Sequence, residues 1–160
     1  MPLVTSRQNP IVSRFREAAR RETGGTILLD GPHLVTDALE AGLRLREVAV
    51  ENGADERPEI RVLLDRCRAR AVTTSTTTAA VMAALSPVRS ASPIVAIADE
   101  PTPDVTHLYR SPTLIIVAVD VQDPGNLGAI VRVAEAGGAT GVICAGASAD
   151  PFGWKALRGS

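Results

Sequence analysis

Residues 113–128 read Thr113-Leu114-Ile115-Ile116-Val117-Ala118-Val119-Asp120-Val121-Gln122-Asp123-Pro124-Gly125-Asn126-Leu127-Gly128, and they run on into AIVRVAEAGGATGVICA. The first seven form a continuous apolar run, the pattern of a strand covered on both faces and paired at both edges. A Pro-Gly turn then reverses the chain, and Asn126 stands where it can cap a helix over about 126–137. Within that helix Ile130, Val133, Ala134 and Gly137 recur at i, i+3, i+4 and i+7, so they are expected to face the sheet. TGVICA (140–145) is a second strand, completing a strand–helix–strand unit. Arg132 falls on the opposite side, with Gly128, Ala129 and Ala136 around it. A guanidinium on such a small-residue surface is open to a partner, and its fixed fork of donors suits phosphate. The plainer reading is a capping asparagine beside a solvated arginine. Gly125 and Gly128 do not make the GxGxxG of a dinucleotide site.

Upstream of this unit the chain alternates strands and helices. Asn9-Pro10 opens a helix carrying Ile11, Phe15, Ala18 and Ala19 on one stripe, with Arg14, Arg16, Arg20 and Arg21 largely off it, and Gly24-Gly25 is its expected stop. TILL (26–29) reads as a buried strand. Asp30-Gly31-Pro32 begins a helix with Leu34, Val35, Ala38 and Leu39 inward and Gly42 as its end. LREVAV (45–50) is a strand, Pro58 starts a helix bearing Ile60, Leu63, Leu64 and Cys67, and a brief strand near 71–73 precedes a helix over about 76–85. SPIVAIA (92–98) is a further strand. The expected class is α/β, a small domain of helices on a sheet over residues 1–100. DEPTPDVTHLYRSP (99–112) has three prolines and no periodicity, so 101–112 reads as a linker, with 113–160 as a second domain.

The whole chain has 160 residues, 45% of them hydrophobic, enough for a real core. It has no uninterrupted apolar run of about 18 residues, so no membrane-spanning segment is expected, and its first residues lack a secretory signal. Cys67 and Cys144 stand far apart without CxxC spacing, and His33 and His107 have no ligand spacing. A metal-free, reduced, cytoplasmic protein is therefore expected. The formal charge is −1, yet residues 1–22 carry five arginines against Glu17 and Glu22. A basic N-terminal face on an otherwise acidic chain suits phosphate, and equally suits an ordinary solvated helix. With only Phe15, Tyr109, Phe152 and Trp154 as aromatics, a base-stacking platform is not expected, and shape and backbone recognition fits better.

The string from Asp120 to Val142, DVQDPGNLGAIVRVAEAGGATGV, resembles the first motif of the SpoU/TrmH branch of the SPOUT RNA 2′-O-ribose methyltransferases, with Asn126 and Arg132 at the spacing of its asparagine and arginine. Asp150-Pro151-Phe152 and Lys155 to Ser160 resemble the family's next segment. SRQNPIVSRFREAARRE, LLDGPHLVTDALEAGL and ALSPV with IVAIA resemble its substrate-binding domain. The resemblance implies an N-terminal α/β RNA-binding domain followed by the first part of a trefoil-knot α/β domain, a knot being a rare exception to ordinary chain threading. It implies methyl transfer from S-adenosylmethionine to a ribose 2′-hydroxyl of rRNA or tRNA. Arg132 and Asn126 would be catalytic; Arg7, Arg14, Arg16, His33, Lys155 and Arg158 would meet RNA, although His33 and the basic helix also fit structural or solvent-facing roles. Arginine stays protonated at neutral pH, so stabilising an alkoxide and gripping phosphate suits it better than removing a proton.

Family members continue past this point into two further motifs whose loops form the knot and hold the cofactor, and they form homodimers that complete the site. Neither motif occurs here, so no cofactor residue is assigned. Residues 113–160 are expected to be poorly folded, strained into another arrangement or dependent on a partner chain, and the 160-residue chain to be inactive as a methyltransferase. Two alternatives stand beside this: a structured-RNA-binding module without catalysis, and an unrelated α/β enzyme gripping a phosphorylated small molecule at 122–128.

Overall fold

The structure, a computed structural model, describes residues 1–22 and 24–160. These form two compact units, Met1–Glu100 and Pro101–Ser160. Residues 101–112 group with the second unit.

The first unit contains β1 (Leu3–Val4), α1 (Pro10–Arg20), β2 (Thr26–Asp30), α2 (Pro32–Glu40), β3 (Leu45–Glu51), α3 (Pro58–Ala69), β4 (Thr73–Thr77), α4 (Ala79–Leu85) and β5 (Ile94–Asp99). Its sheet runs β1-β4-β3-β5-β2. β1, β4 and β3 are parallel, and β5 runs antiparallel between β3 and β2. α1 and α4 pack together over one face, α2 and α3 over the other, so the sheet's apolar rows are covered on both sides.

Local chemistry explains the elements. Asn9 accepts from the Ile11 amide at 3.0 Å and Pro10 occupies the first helical position, so α1 starts where the sequence predicts. Ile11, Val12, Phe15 and Ala18 are buried. The helix stops before Gly24-Gly25: Arg21 takes the left-handed conformation (φ 61°) and donates its N–H to Ala18 O. That conformation is uncommon for a side-chain-bearing residue. The Arg21 guanidinium bonds Thr26 O and Glu100, which anchors it. α3 buries Ile60, Leu63, Leu64 and Cys67 as expected.

The expected helix from 76 begins at Ala79 instead. β4 continues through four threonines and Ser75, the β-branched threonines favouring an extended backbone, and Thr78 caps α4. β1, two residues long, was beyond the reach of periodicity.

The second unit contains a 3₁₀ turn (Val105–Tyr109), β6 (Ile115–Val119), α5 (Pro124–Ala136), β7 (Gly141–Ala145) and α6 (Trp154–Gly159). β6 and β7 form a two-stranded parallel sheet. The expected double cover of 113–119 is not met, since Ala118 is buried while Val117 and Val119 are more than half exposed. The inward stripe of α5 also differs from expectation. Leu127, Gly128 and Ala134 are buried, whereas Val133 is 67% exposed. α6, unforeseen from sequence, packs along α5 and rotates which residues are covered.

Candidate functional site

In the second unit the C-terminal ends of both parallel strands are laced together. Asp120, left-handed at φ 56°, accepts from Ala147 N at 2.7 Å through Oδ1. The Ser148 hydroxyl donates toward Ala118 O and Ala145 O and accepts from Val121 N, and Ala149 N bonds Val121 O. This is the end of a parallel sheet where α/β proteins place ligands.

Out of that lacing rises α5. Its cap is Asp123, not Asn126: the Asp123 carboxylate accepts from Asn126 N at 2.8 Å, and Pro124 takes the first helical position. Asp before Pro-Gly is the better cap because a carboxylate also meets the positive end of the helix dipole. Asn126 is thereby the third helical residue, and its amide side chain is free of capping duty and exposed. Arg132 is exposed on the same helix with no partner among the described residues. Six helical positions separate the two, about 9 Å along the axis and about 120° round it.

α6 crosses the first turns of α5 at glycine contacts. A Cβ on Gly128 would lie 2.9 Å from Gly159 Cα, and one on Gly159 would lie 3.1 Å from Gly125 O. This approach brings Lys155 and Arg158 beside the N-terminal turn of α5, where with Asp123, Pro124, Gly125 and Trp154 they line an open cavity of about 330 Å³. Lys155 Nζ lies 5.5 Å from the Trp154 ring centre, a cation–π arrangement, so Trp154 serves the charge as well as packing. Arg132 does not line that cavity.

In the first unit the basic residues separate. Arg7 and Arg16 line one shallow groove along α1, where their Nε atoms also donate to Ala80 O and Ala84 O of α4. Arg14 points elsewhere. Its Nε and Nη2 donate to both oxygens of Glu47 at 2.8 Å, and this pairing raises the guanidinium above its ordinary pKa. His33 is exposed in the first turn of α2. Next to it, buried Asp30 accepts from the Ser86 and Ser92 hydroxyls and so ties down both ends of the 86–92 loop, which carries exposed Arg89. No sequence signal marked that staple, because its three members are 56 and 62 residues apart.

Residues 1–110 match the family described as thiostrepton-resistance methylase, N terminus. The chain belongs to this family. Across 98% of its length it is 32% identical to an uncharacterized tRNA/rRNA methyltransferase of Synechocystis sp.. It is 29% identical over 138 residues to a 23S rRNA guanosine 2′-O-methyltransferase of Bacillus subtilis. Among solved structures, the AdoMet-bound rRNA methyltransferase from Sinorhizobium meliloti superposes on 98% of the chain with a TM-score of 0.81 at 28% identity. The methylase-family chain spans 57% and 51% of the two curated relatives and 59% of that crystal structure. The SpoU/TrmH resemblance and the α/β class expected from sequence are both borne out.

Proposed function

We propose that the protein is an RNA methyltransferase of the SpoU type that transfers a methyl group from S-adenosylmethionine to a ribose 2′-hydroxyl of rRNA or tRNA. The observation that carries this reading is the family match over residues 1–110, continued by a strand–loop–helix that exposes Asn126 and Arg132 past the end of a parallel strand. The acceptor hydroxyl must lose its proton as it is methylated, so charge builds on its oxygen. Arg132, permanently protonated, stabilises that oxygen and grips the adjoining phosphate. Asn126 holds the ribose with an uncommitted amide. Lys155 and Arg158 meet the backbone nearby, while Arg7, Arg16 and His33 engage structured RNA from the first unit, and Arg14 does so only with the donors Glu47 leaves it.

S-adenosylmethionine presents an adenine ring, a ribose diol and a zwitterionic tail. Two cavities near β6, β7 and α5, of about 490 and 440 Å³, are lined mainly by carbon, with Glu135, Ser160 and the Cys144 thiol as the exceptions. They can wall a ring but offer nothing cationic to the tail's carboxylate. The residues present do not make a cofactor site, and we assign none. The cofactor reading rests on relatives, one of which was crystallised with AdoMet. Homodimerisation and a cytoplasmic location belong to the same proposal.

The test is label transfer from methyl-labelled S-adenosylmethionine into bulk RNA by protein made from its native gene, followed by nucleoside mass spectrometry. Ribose-methylated nucleosides, falling at least about 100-fold in rate with Arg132→Ala, are expected. Methyl groups on bases, or an unchanged rate in the variant, count against the proposal. Structured-RNA binding without any transfer favours the binding-module reading, which the self-contained first unit supports.

A further inference from the structure

The open corner of the first unit's sheet, beside α1, holds a second kind of site. Arg14 and Glu17 of α1, Arg46 and Glu47 of β3, Thr26 of β2, Thr73 of β4 and Ile97 of β5 enclose a cavity of about 500 Å³. Its volume lies within the range of small-molecule sites.

Three features mark it as built rather than incidental. Thr26 is only 7% exposed, yet its hydroxyl has no hydrogen-bond partner among the described residues. Every fully buried side-chain N or O atom among the described residues does have one, so this hydroxyl is left facing the cavity. Glu47 is 9% exposed and held side-on by Arg14 Nε and Nη2, and the remaining N–H donors of Arg14 stay available because its side chain is half exposed. A buried ion pair adds little stability by itself, so its value here is a fixed arrangement of donors and acceptors. Finally, the β3–β5 ladder shifts register between Leu45 and Glu47, a bulge that re-aims Arg46 and Glu47.

The lining is electrically balanced, two arginines against two glutamates. That disfavours a phosphate or a free cation. Arg46 is already paired with Asp99, so the donors and acceptors that remain are those of Arg14, Thr26, Thr73 and the glutamates, and with aliphatic Ile97 they match a neutral planar ring with polar edges. We infer that this corner binds an unpaired nucleobase, with Thr26, Thr73 and the free donors of Arg14 reading its edge. The inference extends the RNA reading above by naming what the first unit recognises besides backbone.

The experiment is ¹H–¹⁵N NMR of the full chain titrated with each of AMP, GMP, CMP and UMP, with ribose 5-phosphate as the base-free control. Saturable shifts of the Arg14 Nε–H and the Thr26 and Thr73 amides by at least one nucleotide, and none by ribose 5-phosphate, are expected. Thr26→Val keeps the shape without the hydroxyl and should weaken that binding about tenfold. Thr73→Val, at an exposed position, serves if the first variant folds poorly. Silence of these signals with all four nucleotides, equal shifts from ribose 5-phosphate, or unchanged affinity in the folded variants would overturn the site. A short single-stranded RNA should reproduce the shifts; if only free nucleotides do, the RNA source is wrong. Methyl transfer is scored separately, so loss of either reading is visible while the other stands.

Discussion

Arg14 and Glu47 show how one side chain can serve two ends. The pair sits 33 residues apart in sequence, and neither residue announces the other. Removing the cation leaves Glu47 buried and unpaired, so Arg14→Ala should lower stability by about 1–2 kcal/mol, a figure reduced for the half-exposed guanidinium. Urea denaturation checks this, and adding Glu47→Gln should recover part of the loss. Cys67 makes a different residue-scale statement. Burial pushes its thiol above the ordinary value of 9.0, with Arg70 and Arg66 opposing, so the folded state favours the neutral form. That stabilisation is fully present below the ordinary thiol pKa and is lost as pH rises through and beyond it. Stability should therefore fall from about pH 9 upward, less steeply in Cys67→Ala, and a thiol reagent should label partly exposed Cys144 well before Cys67.

The crossing of α5 and α6 depends on absent side chains. A Cβ at position 128 would meet Ala156 O and Gly159, both backbone, which cannot swing aside. Gly128→Ala should cost about 1–3 kcal/mol and lever α6 away. Trp154, the sole tryptophan, sits on α6, so a red-shifted emission and faster tryptic cleavage after Arg158 report the displacement. An unaltered spectrum would show that the contact is softer than its geometry implies. At this scale the sequence was legible for α1 and α3, where caps and apolar stripes agree. It was misleading for α5, because Asp123 outcompetes Asn126 as cap and because α6 redefines which face is inside.

Across the whole molecule the two units differ in how well they hide their carbon. The first covers both sheet faces, while the second leaves Leu114, Val117, Val119, Val133 and Ile143 exposed. Such a surface should bind a hydrophobic dye, whereas residues 1–100 alone should unfold cooperatively and bind little. Equal dye binding by both would contradict this. Hydrogen exchange should likewise be slower in β3 and β5, central in the five-stranded sheet, than in β6, which has one bonded neighbour.

Sequence alone determined the α/β class and the starts of α1, α2 and α3, because caps, prolines and apolar spacing act within a few residues, and the family was legible through the resemblance of contiguous motifs. It also singled out Asn126 and Arg132, since their motif is contiguous. Only the tertiary structure decided what those and other residues have beside them. Arg14 pairs with Glu47, Asp30 clamps a loop through Ser86 and Ser92, and Thr26 keeps an unmet hydroxyl in a cavity drawn from four strands and a helix. Such contacts join segments tens of residues apart, and no local spacing encodes them. They exist only once burial of the sheet has brought those segments together.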